Sequence, residues 1–187
     1  MSHSPSMKSF AATDAAVEQI GLRVATLIAD GDTVQVGVGT IAEAVWKALH
    51  RHRDLGVHSG SVADTLIDLI DAGVVTNRRK TIDPGRIVAG QLVGTDRLYA
   101  YAPENPAFNM CPSDYTHEPR VLAGLDNLVS VNSALQVDLR GQVNAETLRG
   151  RQVAGVGGAI DFTVGARLSR GGRAIVALPS TAGNGRY

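Results

Sequence analysis

Apolar residues recur after Asp14 at Val17, Ile20, Val24, Leu27 and Ile28. This one-faced spacing predicts a helix capped by Asp14 and ended by Asp30-Gly31-Asp32. Thr33 to Val38 then reads as a strand, with Gly37-Val38-Gly39 as its exit turn. Thr40-Ile41-Ala42-Glu43 has the form of a capping box and opens a helix through Leu49. Leu55 to His58 is a short strand. Ser61-Val62-Ala63-Asp64 repeats the capping logic ahead of Leu66, Ile67, Leu69 and Ile70, and Gly73 stops that helix. An α-β-α-β-α order predicts parallel strands joined by crossovers.

After Thr76 the pattern changes. Ile87 to Val93, Leu98 to Ala102, Leu128 to Val131 and Leu135 to Leu139 read as strands separated by turn-rich loops. The loop from Ala102 to Glu118 carries Pro103, Pro106 and Pro112 and is long enough to suggest function. Gly155 to Gly158 leads into a helix over Ala159 to Leu168, and Ala174 to Leu178 forms a last strand before Pro179-Ser180-Thr181. No repeat, low-complexity tract or internal domain boundary is visible. The expectation is an α/β fold: a single layered domain over residues 11–187, with an open mixed sheet flanked by helices, behind a disordered leader at residues 1–10.

Composition agrees with a packed domain. The chain has 187 residues, 44% hydrophobic and 19% charged, which suffices to bury a core and argues against global disorder. No apolar run approaches the ~20 residues of a membrane helix. The N-terminus lacks the apolar region of a signal peptide, so a cytoplasmic location is expected. Cys111 stands alone, which excludes an internal disulfide and a cysteine metal cage. Lys+Arg and Asp+Glu balance at 18 each, which argues against nucleic-acid or membrane-surface binding. The charge is uneven, with an acidic excess through residue 140 and an arginine-rich end beyond it. Glycine is the sharper signal: 21 residues, clustered at turns, as in α/β proteins whose loops approach a ligand closely.

Gln35 to Ala42 combines a strand, a glycine turn and a helix start, an arrangement that lets backbone amides meet an anion. It also fits the loose dinucleotide fingerprint, but the next strand ends in His58-Ser59-Gly60 without the acidic group a nicotinamide cofactor needs. A tight turn and a phosphate or pantetheine contact both remain. Gly155-Val156-Gly157-Gly158 precedes a helix and Asp161; adjacent glycine amides suit an oxyanion, though a tight turn with close strand–helix packing is the commoner use of so short a motif. His50 and His52 are spaced i, i+2 and share no helix face, and no metal motif or serine-hydrolase elbow is present.

Five segments in one order resemble the acetyl-CoA hydrolase/transferase family, which includes 4-hydroxybutyrate and butyryl-CoA:acetate CoA-transferases. They are Gln35-Val-Gly-Val-Gly-Thr-Ile41, Leu55-Gly-Val-His58, Asn132-Ser-Ala-Leu-Gln-Val-Asp-Leu-Arg-Gly-Gln-Val143, Gly155-Val-Gly-Gly-Ala-Ile-Asp-Phe162 and Pro179-Ser-Thr-Ala182. The resemblance implies a three-layer fold of the NagB/RpiA/CoA-transferase type and two-step exchange through an acyl-glutamyl intermediate, with coenzyme A or acyl-CoA as substrate and no metal. It further implies CoA contacts at Gly37, Val38, Gly39, Thr40, Ile41, Leu135, Gly157 and Gly158, and partners that are a homo-oligomer, the family's N-terminal half, or both.

This chain departs from the family pattern in three respects. Gly60 occupies the place of the family's nucleophilic glutamate, His117 stands where the family usually has asparagine, and the chain is less than half the family's length, without its N-terminal half and C-terminal end. No catalytic residue is therefore assigned. His58 and His117 are candidate general bases, which would favour hydrolysis of a small acyl-CoA over transfer to a carboxylate. The alternative is a CoA-binding or regulatory remnant without chemistry; a nicotinamide-binding domain ranks last.

Overall fold

A computed structural model describes residues 14–181. The leader expected at residues 1–10 lies outside the described residues. The chain runs through α1 (Asp14–Ala25), β1 (Thr33–Val36), α2 (Thr40–Ala48), β2 (Gly56–Val62), α3 (Thr65–Asp71), β3 (Ile87–Leu92), α4 (Asp96–Glu104) and β4 (Phe108–Met110). Two short helices follow, α5 (Ser113–Thr116) and α6 (Pro119–Ala123), then β5 (Leu128–Ser133). Four two-residue strands come next: β6 (Gln136–Val137), β7 (Val143–Asn144), β8 (Thr147–Leu148) and β9 (Arg151–Gln152). The chain then closes on α7 (Ala159–Leu168) and β10 (Arg173–Ala177).

Six strands form one sheet in the order β10-β5-β1-β2-β3-β4, parallel at every pairing. Antiparallel pairing is confined to two separate ribbons, β6-β7 and β8-β9. These form an arm in which no residue from Leu135 to Gly157 is buried. The sheet core follows the two-residue period of its strands. Val34, Val36, Val129 and Val131 join Val24, Ile28, Val45, Trp46 and Leu66 in the large cluster beneath α1, α2 and α3. Leu128 instead meets Leu122, Phe162 and Ala166 in a smaller cluster beneath α6 and α7. Helices thus cover both faces, the three-layer α/β architecture expected.

Several local expectations need correction. Leu98 to Ala102 is helical: Leu98 and Ala102 are buried one turn apart, and Thr95 caps the helix by accepting the Arg97 amide at 3.3 Å. Each tyrosine hydroxyl is anchored outside the core, Tyr101 donating to Asp71 at 2.7 Å and Tyr99 to the Leu92 carbonyl at 3.2 Å. Ser61 and Val62 do not cap a helix but extend β2, pairing with Gln91 and Leu92. Asp64 caps across the chain instead, accepting from the Thr95 amide and hydroxyl at 2.8 Å each. The box at Thr40 to Glu43 does not form either, since Gly39 is the N-cap and no side chain caps α2. Only Gln136 and Val137 of the Leu135–Leu139 stretch pair as strand.

Candidate functional site

In open parallel sheets, ligands meet the carboxyl ends of the strands where successive connections turn in opposite directions. Here that point lies between β1 and β5, because the chain proceeds from β1 outward through β4 and then returns to β5 on the other side of β1. The Gly37-Val38-Gly39 turn leaves β1 at this point. Gly37 donates its amide to the Val131 carbonyl at 3.0 Å, and a Cβ at residue 37 would stand 3.2 Å from Asn132 Oδ1. Gly39 holds φ at 106°, in the left-handed region that favours glycine. With no side-chain cap on α2, its first amides face the sheet end unclaimed by a side chain.

Beneath this turn lies a buried polar clasp. Gln35 Oε1 accepts from Ser130 Oγ at 2.7 Å and from Asn132 Nδ2 at 3.2 Å, while Asn132 Nδ2 also donates to Ser130 Oγ at 3.0 Å. Gln35 and Asn132 belong to the two polar motifs of the sequence; Ser130 completes the set without any signal of its own. These side chains satisfy one another and lock β1 to β5, so their polarity serves the register that holds the glycine turn. Beside the turn is a cleft of about 70 Å³, lined by Gly37, Val38, Gly39, Glu43, Trp46 and Ala63.

The second feature lies at the end of β2. His58 and Gly60, two residues apart, both meet the end of α5, His58 at Thr116 and Gly60 at His117. His58 is fully buried and its Nε2 donates to the Thr116 carbonyl at 3.1 Å. Burial, assisted by the positive charge of Lys80, lowers its pKa to about 4, so the ring is neutral at pH 7. Its Nδ1 is buried without a partner among the described residues. This histidine is enclosed beneath the sheet end and does not open to it.

His117 occupies the position His58 lacks. Its Nδ1 lies 2.8 Å from Thr116 Oγ1, and its ring packs on Phe162 with centroids 4.8 Å apart. The opposite edge of the ring fits between two glycines. A Cβ at Gly60 would lie 2.9 Å from His117 Nε2 and 3.0 Å from Cε1; one at Gly158 would lie 2.2 Å from Nε2. Both positions are glycine because the imidazole fills the space where side chains would stand. Gly158 is also the N-cap of α7, whose N-terminus therefore faces the same ring edge. Thus Gly60, His117, Gly158 and Phe162 converge, although the sequence separates them widely.

The other anticipated residues are less concentrated. Val38 is exposed on the turn, and Thr40 and Ile41 form the first turn of α2. Gly157, with φ at 56°, precedes the α7 cap on an exposed loop. Leu135 lies at the base of the arm, 43% exposed, with its amide on the Asn144 carbonyl at 2.8 Å. Lys80 carried no motif, yet it is buried behind β2, donating to the Val57 and Arg86 carbonyls at 3.0 and 2.8 Å. Burial lowers its pKa to about 8. Among the described residues, no three His, Cys, Asp or Glu side chains gather as a metal site would require, and no helix is long and apolar enough to cross a membrane.

Comparison with known proteins places the chain. Residues 94–187 match the acetyl-CoA hydrolase/transferase C-terminal domain. The chain is 47% identical over 167 residues to the 4-hydroxybutyrate coenzyme A transferase of Clostridium kluyveri, a match covering 89% of this chain and 39% of that one. It is 38% identical over 172 residues to the butyryl-CoA:acetate CoA-transferase of Anaerostipes caccae, again covering 89% and 39%. The solved 4-hydroxybutyrate CoA-transferase of Porphyromonas gingivalis superposes with a TM-score of 0.82 at 36% identity, over 97% of this chain and 43% of that one. RipA from Yersinia pestis does so with a TM-score of 0.82 at 40% identity, over 95% and 38%. The chain thus spans about two fifths of the length of these relatives. With the motifs, the parallel sheet and the matched profile in agreement, the chain belongs to the acetyl-CoA hydrolase/transferase family.

Proposed function

We propose that the protein moves a small acyl group between coenzyme A and an oxygen acceptor without forming an acyl-enzyme. The observation that carries this reading is the position of His117, whose Nε2 sits within 2.9 Å of where a side chain at residue 60 would begin. By the family resemblance, residue 60 is the site of the nucleophilic glutamate. A glycine has no atom to acylate, so the polar group at this point of the sheet is an imidazole. The acceptor oxygen, from water or a carboxylate, then attacks the thioester carbon directly; the new C–O bond replaces the C–S bond and CoA leaves as thiolate. Gly37 to Ile41 and Gly157 to Gly158 present the backbone amides that a CoA phosphate or pantetheine amide meets, and by the family resemblance Leu135 also contacts CoA.

The test is incubation of the full-length protein with acetyl-CoA or butyryl-CoA, with and without acetate, following free thiol, exchanged acyl-CoA and intact mass. Turnover without a mass increment, abolished by His117→Ala, is the expected result. An acyl or CoA adduct on the protein would overturn it. A second reading, a CoA-binding protein without chemistry, is favoured by the lack of a carboxylate at residue 60. It predicts heat of CoA binding in calorimetry with no release of thiol.

A further inference from the structure

Histidine at an acyl site is commonly assigned as a base, and the sequence suggests that role for His117. The hydrogen bonding around Thr116 points the other way. Thr116 is fully buried, and its backbone groups are committed: the amide donates to the Pro112 carbonyl at 3.0 Å and the carbonyl accepts from His58 Nε2 at 3.1 Å. Its β-branched side chain is correspondingly fixed. Among the described residues, the one hydrogen-bond partner of Thr116 Oγ1 is His117 Nδ1, at 2.8 Å. A hydroxyl carries one hydrogen and a neutral imidazole carries one N–H, so only two arrangements exist. If Nδ1 donated to the hydroxyl, the threonine hydrogen would be buried with no acceptor among these residues. If the hydroxyl donates to Nδ1, every group in the pair is satisfied. The difference between a made and an unmade buried hydrogen bond biases the pair roughly tenfold to hundredfold toward the second arrangement.

We infer that Thr116 holds neutral His117 as the Nε2–H tautomer, so that the ring presents an N–H donor, not a lone pair, between Gly60 and Gly158. This rests on the acyl-transfer reading above and gives His117 its role there: Nε2–H meets the thioester carbonyl oxygen and stabilises the charge it gains on attack, while Thr116 is a positioning residue. The α7 N-terminus at Gly158 adds a favourable dipole to the same oxygen. A ring in this form takes no proton from an incoming nucleophile. The acceptor must therefore arrive already deprotonated, as a carboxylate does. Carboxylate attack forms a mixed anhydride and frees CoA thiolate; the thiolate then attacks the acceptor's carbonyl, giving the new thioester and releasing the first acyl group as carboxylate. No proton enters or leaves in either step.

The tautomer is measured without substrate, by long-range proton–nitrogen correlation on the full-length protein labelled at histidine. We expect His117 with its proton on Nε2 and Nδ1 as a hydrogen-bonded acceptor. Thr116→Val should remove the hydrogen-bond signature and Thr116→Ser restore it; a proton on Nδ1 in the unmutated protein overturns the inference whatever the activity. In the acyl-exchange assay from butyryl-CoA to acetate, His117→Asn keeps an N–H donor but no basic nitrogen. It should retain kcat within about tenfold, while His117→Ala loses a hundredfold or more. Equal loss in both variants overturns the donor role. If no variant and no wild-type protein turns over, the acyl-transfer reading fails while the tautomer stands or falls on its own spectrum.

Discussion

The fit of His117 between two glycines gives a coupling that denaturation can measure. Replacing Gly158 by alanine sets a methyl carbon 2.2 Å from His117 Nε2 and 2.4 Å from Cδ2, well inside the 3.4 Å at which ordinary contact begins. At Gly60 the overlap is milder, 2.9 Å to Nε2 and 3.0 Å to Cε1. The ring has little room to retreat, since Phe162 lies on one side and Thr116 holds Nδ1. Neither glycine adopts positive φ, so sterics alone decide the cost. Overpacking of this kind costs about 1–3 kcal/mol, with Gly158→Ala near the upper end and Gly60→Ala near the lower. In a His117→Ala background only a 3.3 Å contact of either Cβ with Phe162 remains, and each cost should fall to about 0.5 kcal/mol, a coupling of roughly 0.5 kcal/mol at Gly60 and about 2.5 kcal/mol at Gly158. Urea unfolding of the wild type, three single variants and two doubles closes both cycles. If the alanines cost as much without His117 as with it, the imidazole does not occupy that space.

Three further outcomes follow from the same structure. Because His58 has a folded pKa of about 4 against an ordinary 6.5, the unfolded chain binds a proton between these values that the folded one does not. Stability conferred above pH 6.5 should thus fall by about 3 kcal/mol as pH drops to 4, and His58→Gln should flatten that dependence in urea midpoints taken across the range. Removing Asn132 by alanine leaves Gln35 with a lost partner in the β1–β5 clasp and should cost about 1–3 kcal/mol, while Ser133→Ala beside it changes little; equal effects would contradict a clasp. Burial raises the Cys111 thiol pKa, so alkylation by iodoacetamide at pH 8 should be slower than for a free cysteine and match it only after unfolding.

Much of the fold was legible because it rests on local periodicity. Helices α1, α2 and α7 follow from one-faced apolar spacing, and strands β1, β3, β5 and β10 from short apolar runs bounded by turn residues. The errors arose where a short-range signal had a long-range competitor. Ser61 to Asp64 has the form of a helix cap, but pairing with Gln91 and Leu92 draws Ser61 and Val62 into β2. The Leu98 to Ala102 segment has strand-favouring tyrosines, yet one buried face at four-residue spacing decides it. At the site, the glycine turn and the Gly155–Gly158 loop were visible as motifs. The relation between Gly60, His117, Gly158 and Phe162 was not, because it arises from three segments meeting across the sheet end. Which of two histidines reaches the site was likewise undecided by sequence: His58 and Gly60 sit on one strand, but the depth of His58 is set by α5 packing above it.

The arm from Leu135 to Gly157 has a further consequence. Its hydrogen bonds are largely internal, such as Asp138 to Gln142 and Val153 to Glu146, and none of its residues is buried. Leu139, Val143, Val153 and Val156 are instead exposed on it. Two amounts of order therefore coexist in one chain, a sheet whose melting is cooperative and an arm that opens at small free-energy cost. A probe of the core, such as Trp46 fluorescence, reports only the first. Opening of the arm should therefore show as fast amide exchange from Leu135 to Gly157 while Trp46 fluorescence stays at its folded value.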